Sequence, residues 1–354
     1  MKLCILGDTH FGMRNDSSIF HDLYKGFYLN TLIPYLEEHG ITEIYQLGDL
    51  FDRRKYINFN TLTLAKQYFF DELKNKGINL HTLLGNHDVF YKNTLKVNST
   101  SLVLGEYDNI NIYDKPVTVR LGNIDLDIIP WICEENEAEV LDFVDRSSSE
   151  FCIGHFELAG FEMDRGNVCH EGLDAAKLSR YELVMTGHFH HKHKKGNILY
   201  VGSPGEITWA DYNDPRGFHI FDTETREVEF IANPYTIFRK ISFNDEEMFY
   251  NDLSKYDFDQ YKNKYVKVIV VKKSNAFLFE TFIDTLIKAG PLDVSVVEDF
   301  SELSAADSLH EIDQADETTT ILDKYVDTIE IDLNKTKLKN ILREIYTEAL
   351  TIES

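Results

Sequence analysis

The apolar residues of the first ninety positions fall into short runs separated by longer amphipathic stretches. Lys2 to Leu6, Ile41 to Leu47 and Ile78 to Leu84 are nearly continuous apolar runs of strand length, read as buried strands. Between them, roughly Ser18 to Glu38 places Ile19, Leu23, Phe27, Tyr28, Leu32, Tyr35 and Leu36 close to a helical period, and Asn60 to Lys76 forms a second helical stretch. A β-α-β-α-β start is expected. From Asn109 to Trp131 the pattern changes to alternation, with Gly122-Asn123 as a hairpin turn. Strands without intervening helices recur at Glu150 to Ile153, Leu183 to Met185, Ile198 to Val201 and in a hairpin from Gly217 to Ile231. These elements predict mixed sheets packed face to face, with helices outside.

The strands end alike. Ile5-Leu6-Gly7-Asp8-Thr9-His10, Gln46-Leu47-Gly48-Asp49-Leu50-Phe51-Asp52, Leu83-Leu84-Gly85-Asn86-His87-Asp88, Cys152-Ile153-Gly154-His155 and Met185-Thr186-Gly187-His188-Phe189-His190 each pass from apolar residues through glycine to Asp, Asn or His. One such stretch is ordinary turn chemistry. Five are hard to assign to it, and side-by-side strand ends are where open α/β sheets place their sites. Asp8, His10, Asp49, Asn86, His155, His188 and His190 offer two carboxylates, one amide and four imidazoles, more than one ion takes. They suit two ions sharing a carboxylate. The lack of thiolate argues against structural zinc, and the O/N mixture favours Mn, Fe, Co or Zn over Mg or Ca. Two ions about 3.5–4 Å apart clamp a phosphoryl group and acidify a water, so hydrolysis of a phosphate ester is expected. His87, beside a ligand, is free to protonate the leaving oxygen. Taken alone, His188 and His190 would equally suit one face of a plain strand.

Composition narrows the class. A chain of 354 residues suggests two or three domains, and 43% hydrophobic with 27% charged residues describes a globular protein. No apolar run approaches the roughly 18 residues of a membrane span, and Asp8 cuts the N-terminal run too early for a signal peptide. A cytoplasmic protein is expected. Cys4, Cys133, Cys152 and Cys169 show no paired spacing and read as reduced, packed thiols. The net charge of -24 excludes coating of nucleic acid by bulk electrostatics. It leaves a nuclease open, because bound metals supply local positive charge. Basic clusters follow two of the motifs, making Arg53, Arg54, Lys55, Lys192 and His193 candidate DNA contacts, with solvated loop charge as the plainer reading.

Together the five motifs resemble those of the calcineurin-like metallophosphoesterase superfamily, in order and spacing, over roughly the first 230 residues. The continuation is similar to the SbcD-type nuclease subunits of double-strand-break repair, most closely those of T-even-like phages. The resemblance implies an α+β fold, a four-layer α/β/β/α sandwich with a small α/β capping domain and a C-terminal helical pair. It also implies two Mn2+ ions, with Mg2+ able to substitute, and an SbcC-type ABC ATPase with a long coiled coil as partner. Carried over, Asp8, His10 and His190 hold one ion, Asn86, His155 and His188 the other, and Asp49 bridges, with His87 as the catalytic histidine. Many members carry a histidine shortly after the bridging aspartate; this chain has Asp52.

The expected domains are 1–235 for the nuclease, 236–298 for the cap, an acidic linker over 299–319, and C-terminal helices over 320–354. From Phe238 onward the cap reads as strand, helix, strand Tyr265 to Val271, helix Ala276 to Ala289 and strand Asp293 to Val297, or as a purely structural extension. Asp299 to Glu317 holds seven acidic residues and no Lys or Arg, a composition that cannot fold alone. Leu338, Ile341, Leu342, Ile345 and Tyr346 then form an apolar stripe that either folds back on the cap or binds another chain, which the resemblance implies is the ATPase coiled coil. A homodimer is expected too, since Leu62, Leu64, Ala65, Tyr68, Phe69, Phe70 and Leu73 cover more than one helix face. The function expected is DNA exonuclease and endonuclease activity in recombination, repair and replication. A phosphomonoesterase is the alternative, since protein phosphatases share similar Gly-Asp patterns. A non-catalytic scaffold would predict missing ligands, and all seven are present.

Overall fold

The computed structural model describes residues 1–164, 166–246, 253 and 256–297, with Val326, Lys335 and Lys339. The acidic stretch and the C-terminal helices, with Leu338, Ile341, Leu342, Ile345 and Tyr346, lie outside the described residues but for those three positions. Two units result, one of Met1–Arg239 with Asn263–Tyr265, the other of 240–262 and the chain from Val266 on.

In the first unit, β1 (Lys2–Leu6), β2 (Glu43–Gln46), β3 (Asn79–Leu83) and β4 (Ile110–Tyr113) run parallel and adjacent. The second sheet is built from β5 (Val117–Leu121), β6 (Ile124–Ile129) and β7 (Phe151–His155). A small hairpin of β8 (Glu162–Asp164) and β9 (Asn167–Val168) intervenes before β10 (Leu183–Gly187), β11 (His193–Lys195) and β12 (Ile198–Tyr200) complete it. The chain then returns to the first sheet, where β13 (Gly217–Asp222) pairs antiparallel with β1 and β14 (Val228–Ala232) lies outside it. The sheet orders are β14-β13-β1-β2-β3-β4 and β11-β12-β10-β7-β6-β5. Leu121 pairs with Ile124, which leaves Gly122-Asn123 as the two-residue turn, with Gly122 at φ 60°.

Alternation decides which residues meet between the sheets. Leu3, Ile5, Tyr45, Leu47 and Leu83 of the first sheet share one buried cluster with Leu126, Ile128, Phe151, Ile153 and Met185 of the second. Behind the second sheet, Val140 and Val144 of the helix Glu137–Arg146 pack with Cys152 and Val184. All four cysteines are buried, and none is in a disulfide. This is the expected α+β sandwich.

Both long helices of the first unit widen midway into π-helical turns, Tyr28–Leu32 and Lys66–Phe70. The widening lets Tyr68, Phe69 and Phe70 all turn inward, where each ring lies within 6 Å of Phe11. The apolar surplus that suggests a second contact surface in the sequence is thus largely buried within the unit itself. Periodicity alone has no means of registering an extra residue per turn.

In the second unit, β15 (Phe238–Asn244), β16 (Tyr265–Lys272) and β17 (Asp293–Val297) form a three-stranded sheet in that order. Phe279, Phe282 and Leu286 of the helix Ala276–Lys288 pack with Phe243, Val266 and Val268. Asn275 caps this helix by accepting the Leu278 N–H at 3.2 Å. Among the described residues, no helix is long and apolar enough to cross a membrane.

Candidate metal centre

The parallel strands bring the five motifs to one end of the sandwich. Asp8 and His10 follow β1, Asp49 follows β2, and Asn86 and His87 follow β3. From the second sheet, His155 ends β7, and His188 and His190 follow β10. Glycine is needed where these loops meet. A Cβ on Gly48, which sits at φ +90°, would lie 2.6 Å from His155 Nδ1, and one on Gly85 would collide with the Asp49 carboxylate. His10, Asp49 and His188 themselves adopt positive φ, at 43°, 52° and 87°. Such strain, of order 1–3 kcal/mol per residue, persists where surrounding bonds enforce it. The His10 N–H donates to the Asp49 carbonyl at 3.0 Å, and the His188 N–H to Asp8 Oδ2 at 2.9 Å.

The seven expected ligands converge in two groups around Asp49. His10 Nε2 lies 3.0 Å from His190 Nε2, and His190 Nε2 lies 3.6 Å from Asp8 Oδ2. On the other side, Asn86 Oδ1 is 2.9 Å from His155 Nε2 and 3.0 Å from His188 Nδ1. Asp49 Oδ2 stands 3.8 Å from His10 Nε2 and 3.3 Å from His155 Nε2, so one carboxylate reaches both groups. The sets Asp8/His10/His190 and Asp49/His155/His188 each place a ligand atom from every member within 4.8 Å of the others. The His155 Nδ1–H donates to the Leu47 carbonyl at 2.7 Å, which turns the Nε2 lone pair toward the site. Nitrogen and oxygen lone pairs facing one another this closely fit divalent cations of mixed O/N preference.

Burial makes the centre electrostatically tense. Asp8, His10, Asp49 and His155 are almost wholly buried, whereas Asn86, His87, His188 and His190 form a half-buried rim. Burial, opposed by His155, raises Asp8 to about 6. Burial would also raise Asp49, but the charges of His155 and His87 outweigh it and hold Asp49 well below the usual carboxylate range. Burial works against charging His10 and His155, yet the adjacent Asp52 carboxylate for His10 and the charge of Asp49 for His155 push each up to about 9. Burial and the neighbouring His155 lower His188 to about 3.

His87 is held separately. Its N–H donates to Asp49 Oδ1 at 2.7 Å, its Nδ1–H donates to the Asp52 carbonyl at 2.5 Å, and its ring meets His10 edge-on at 4.9 Å. Asp52, whose place in the site is open in the sequence, also sets its Oδ1 3.4 Å from His10 Nδ1, within ion-pair range but not aligned as a hydrogen bond.

The candidate DNA-contacting residues divide. Arg53 is engaged internally, pairing with Asp16 at 3.0 Å and donating to Asn15 at 2.6 Å. Lys192 lies over the Phe230 ring, and His193 stacks on Tyr200 while accepting the Glu162 N–H at 3.2 Å. Arg54 donates to the Val89 carbonyl at 3.2 Å and forms no ion pair among the described residues, and Lys55 is exposed. Two further residues belong to the site. Asp88 is buried and accepts the N–H groups of Leu50, Phe51 and Gly85, joining two of the ligand loops. Trp131 packs its ring against His188 at 5.2 Å and His155 at 5.9 Å. Asp88 stands inside a quoted motif, so adjacency is a signal for it; Trp131 has none.

Residues 1–192 match the family described as calcineurin-like phosphoesterase. Over 359 residues the chain is 36% identical to "Exonuclease subunit 1" of Enterobacteria phage T4, covering 99% of each protein. Among solved structures, an archaeal phosphodiesterase is similar at 13% identity, over 66% of this chain and 99% of that one, with a TM-score of 0.34. A putative 5'-nucleotidase from Staphylococcus aureus is similar at 12% identity, over 65% and 52%, with a TM-score of 0.36. Likenesses that loose carry no weight for the site.

Proposed function

The chain belongs to the calcineurin-like phosphoesterase family, and from that membership we propose that it is a metal-dependent DNA exonuclease and endonuclease, one subunit of an ATPase–nuclease complex acting in recombination, repair and replication. The observation that carries the reading is the position of Asp49, within 3.8 Å of His10 and 3.3 Å of His155, between two groups that each suit an ion. DNA as substrate is supported by the full-length likeness to a phage exonuclease subunit.

Asp8, His10 and His190 would hold one ion and Asn86, His155 and His188 the other, with Asp49 shared. Two Mn2+ ions are the proposed occupants, Mg2+ substituting. When bound, such a pair supplies Lewis-acid charge to the phosphate and acidifies a water at neutral pH. The residues provide the rest. The buried floor of Asp8, Asp49 and His155 excludes bulk water, and the half-buried rim admits the phosphodiester. His87, anchored through Nδ1–H on the Asp52 carbonyl, presents Nε2 as the proton donor to the leaving oxygen and keeps its anchor after giving the proton up. Arg54 and Lys55 are the cations best placed to meet a DNA phosphate.

The ATPase of SbcC type would dock on the C-terminal stripe of Leu338, Ile341, Leu342, Ile345 and Tyr346. Pairing of two chains would use what the core leaves uncovered on the second long helix, above all Phe59, 87% exposed. The test compares hydrolysis of a small aryl phosphate with that of linear DNA of defined ends, in Mn2+ and in Mg2+, with and without the ATPase. Cleavage of DNA supports the reading; hydrolysis of the aryl phosphate alone assigns a phosphomonoesterase.

A further inference from the structure

Arg216 immediately precedes β13 and is 5% exposed. A guanidinium that deep needs compensating charge, and Asp211 at 2.5 Å and Asp214 at 2.8 Å, both buried, supply it. Its NH1 group donates to the main-chain carbonyl of His190 and, at 3.1 Å, to Ser203 Oγ. That carbonyl also accepts the Ser203 N–H at 3.2 Å. The space is reserved for these bonds, since a Cβ on Gly202 would lie 2.8 Å from the same oxygen. Asp211 is fixed in turn by the N–H groups of Ile207 and Thr208, at 2.7 and 2.8 Å, and Asp214 by His191 Nδ1 at 2.9 Å.

A buried ionic cluster is a poor device for stability, because well-packed apolar residues often do as well. With NH1 and NH2 bonded to a carbonyl, a hydroxyl and two carboxylates, and only Nε left without a hydrogen bond, it is a better device for aim. We infer that Arg216 is a positioning residue of the metal centre: by clamping the His190 carbonyl it fixes where the His190 imidazole points, 3.0 Å from His10 Nε2 and 3.6 Å from Asp8 Oδ2. The inference rests on the two-ion reading. It is selective, because the other group has its own supports, the Leu47 carbonyl for His155 and the Asp8 carboxylate for the His188 N–H.

Mn2+ binding to the metal-stripped full-length protein, followed by calorimetry, tests it. The wild type is read first. One ion there sinks the two-ion reading and this inference with it, whereas two ions make the variants decisive. Arg216→Lys keeps the charge but not the fork, and Asp211→Asn loosens the guanidinium without removing it; circular dichroism and thermal unfolding check both folds. The expected result is one affinity weakened about 10–100-fold, the usual effect of losing a group that orients a ligand, with the other unchanged. Two unchanged affinities in a folded variant overturn the inference, and so does equal weakening of both. Failure of both variants to fold would assign the cluster to folding and overturn it as well.

Discussion

The Asp88 carboxylate accepts the Leu50 N–H at 3.0 Å, one residue beyond Asp49, and so ties the loop after β3 to the loop after β2. The same carboxylate accepts the Gly85 N–H at 2.8 Å. Asp88→Asn keeps the volume but leaves one buried N–H facing an amide NH2. Loss of about 1–3 kcal/mol is expected for an unsatisfied buried group, measured as a shift in urea unfolding. An unchanged midpoint would show that the two loops are held by other means.

His87 is held through its main-chain N–H and its Nδ1, and among the described residues no hydrogen bond involves its Nε2. His87→Ser should keep both ions and DNA binding while losing cleavage about 10²–10⁴-fold, the usual span for a general acid. Metal content of the purified variant is the control. A variant stripped of metal would make His87 a ligand instead.

Metal uptake should release protons. In the metal-free protein His10 and His155 are pushed up to about 9, so both carry protons at neutral pH, and both must shed them to ligate. Mn2+ affinity therefore rises as pH rises toward about 9. Calorimetry at pH 7 in two buffers of different ionisation enthalpy should give different apparent heats. Identical heats would mean that these imidazoles are already neutral.

His219, on β13, is 3% exposed, and burial together with the Lys192 charge lowers it to about 3. In the unfolded chain it titrates near 6.5. Its folded pKa is the lower of the two, so the stability it contributes is full above about 6.5 and is lost as pH falls toward 3. Between pH 6.5 and 5 the wild type should lose about 2 kcal/mol more than His219→Leu, read from denaturation curves. Equal losses would contradict the assignment.

Most of the candidate site is legible because Asp8, Asp49, Asn86, His155 and His188 each directly follow a glycine at a strand end, with His10 and His190 two positions further on, so that a local pattern and the convergence of the loops coincide. Arg216 works differently. What it holds is a main-chain carbonyl from a loop distant in sequence, which leaves no mark on the residue that receives it. Arg53 and Lys192 look like surface charge in sequence, yet Asp16 and Phe230 engage them through the fold. Tyr68, Phe69 and Phe70 exceed what one face of a regular α-helix can bury, and the π-helical turn accounts for the three rings.

The central claim is that a metal pair sharing Asp49 cleaves DNA. Release of nucleotides from end-labelled linear DNA, followed in Mn2+, in chelator, and with Asp49→Asn at matched protein and metal concentration, tests it most directly. The account predicts cleavage in Mn2+, none in chelator, and a loss of at least two orders of magnitude, roughly the worth of one ion's charge at the phosphate, in the variant. Wild-type rates from Asp49→Asn, or DNA left intact by the wild type in Mn2+, would contradict it.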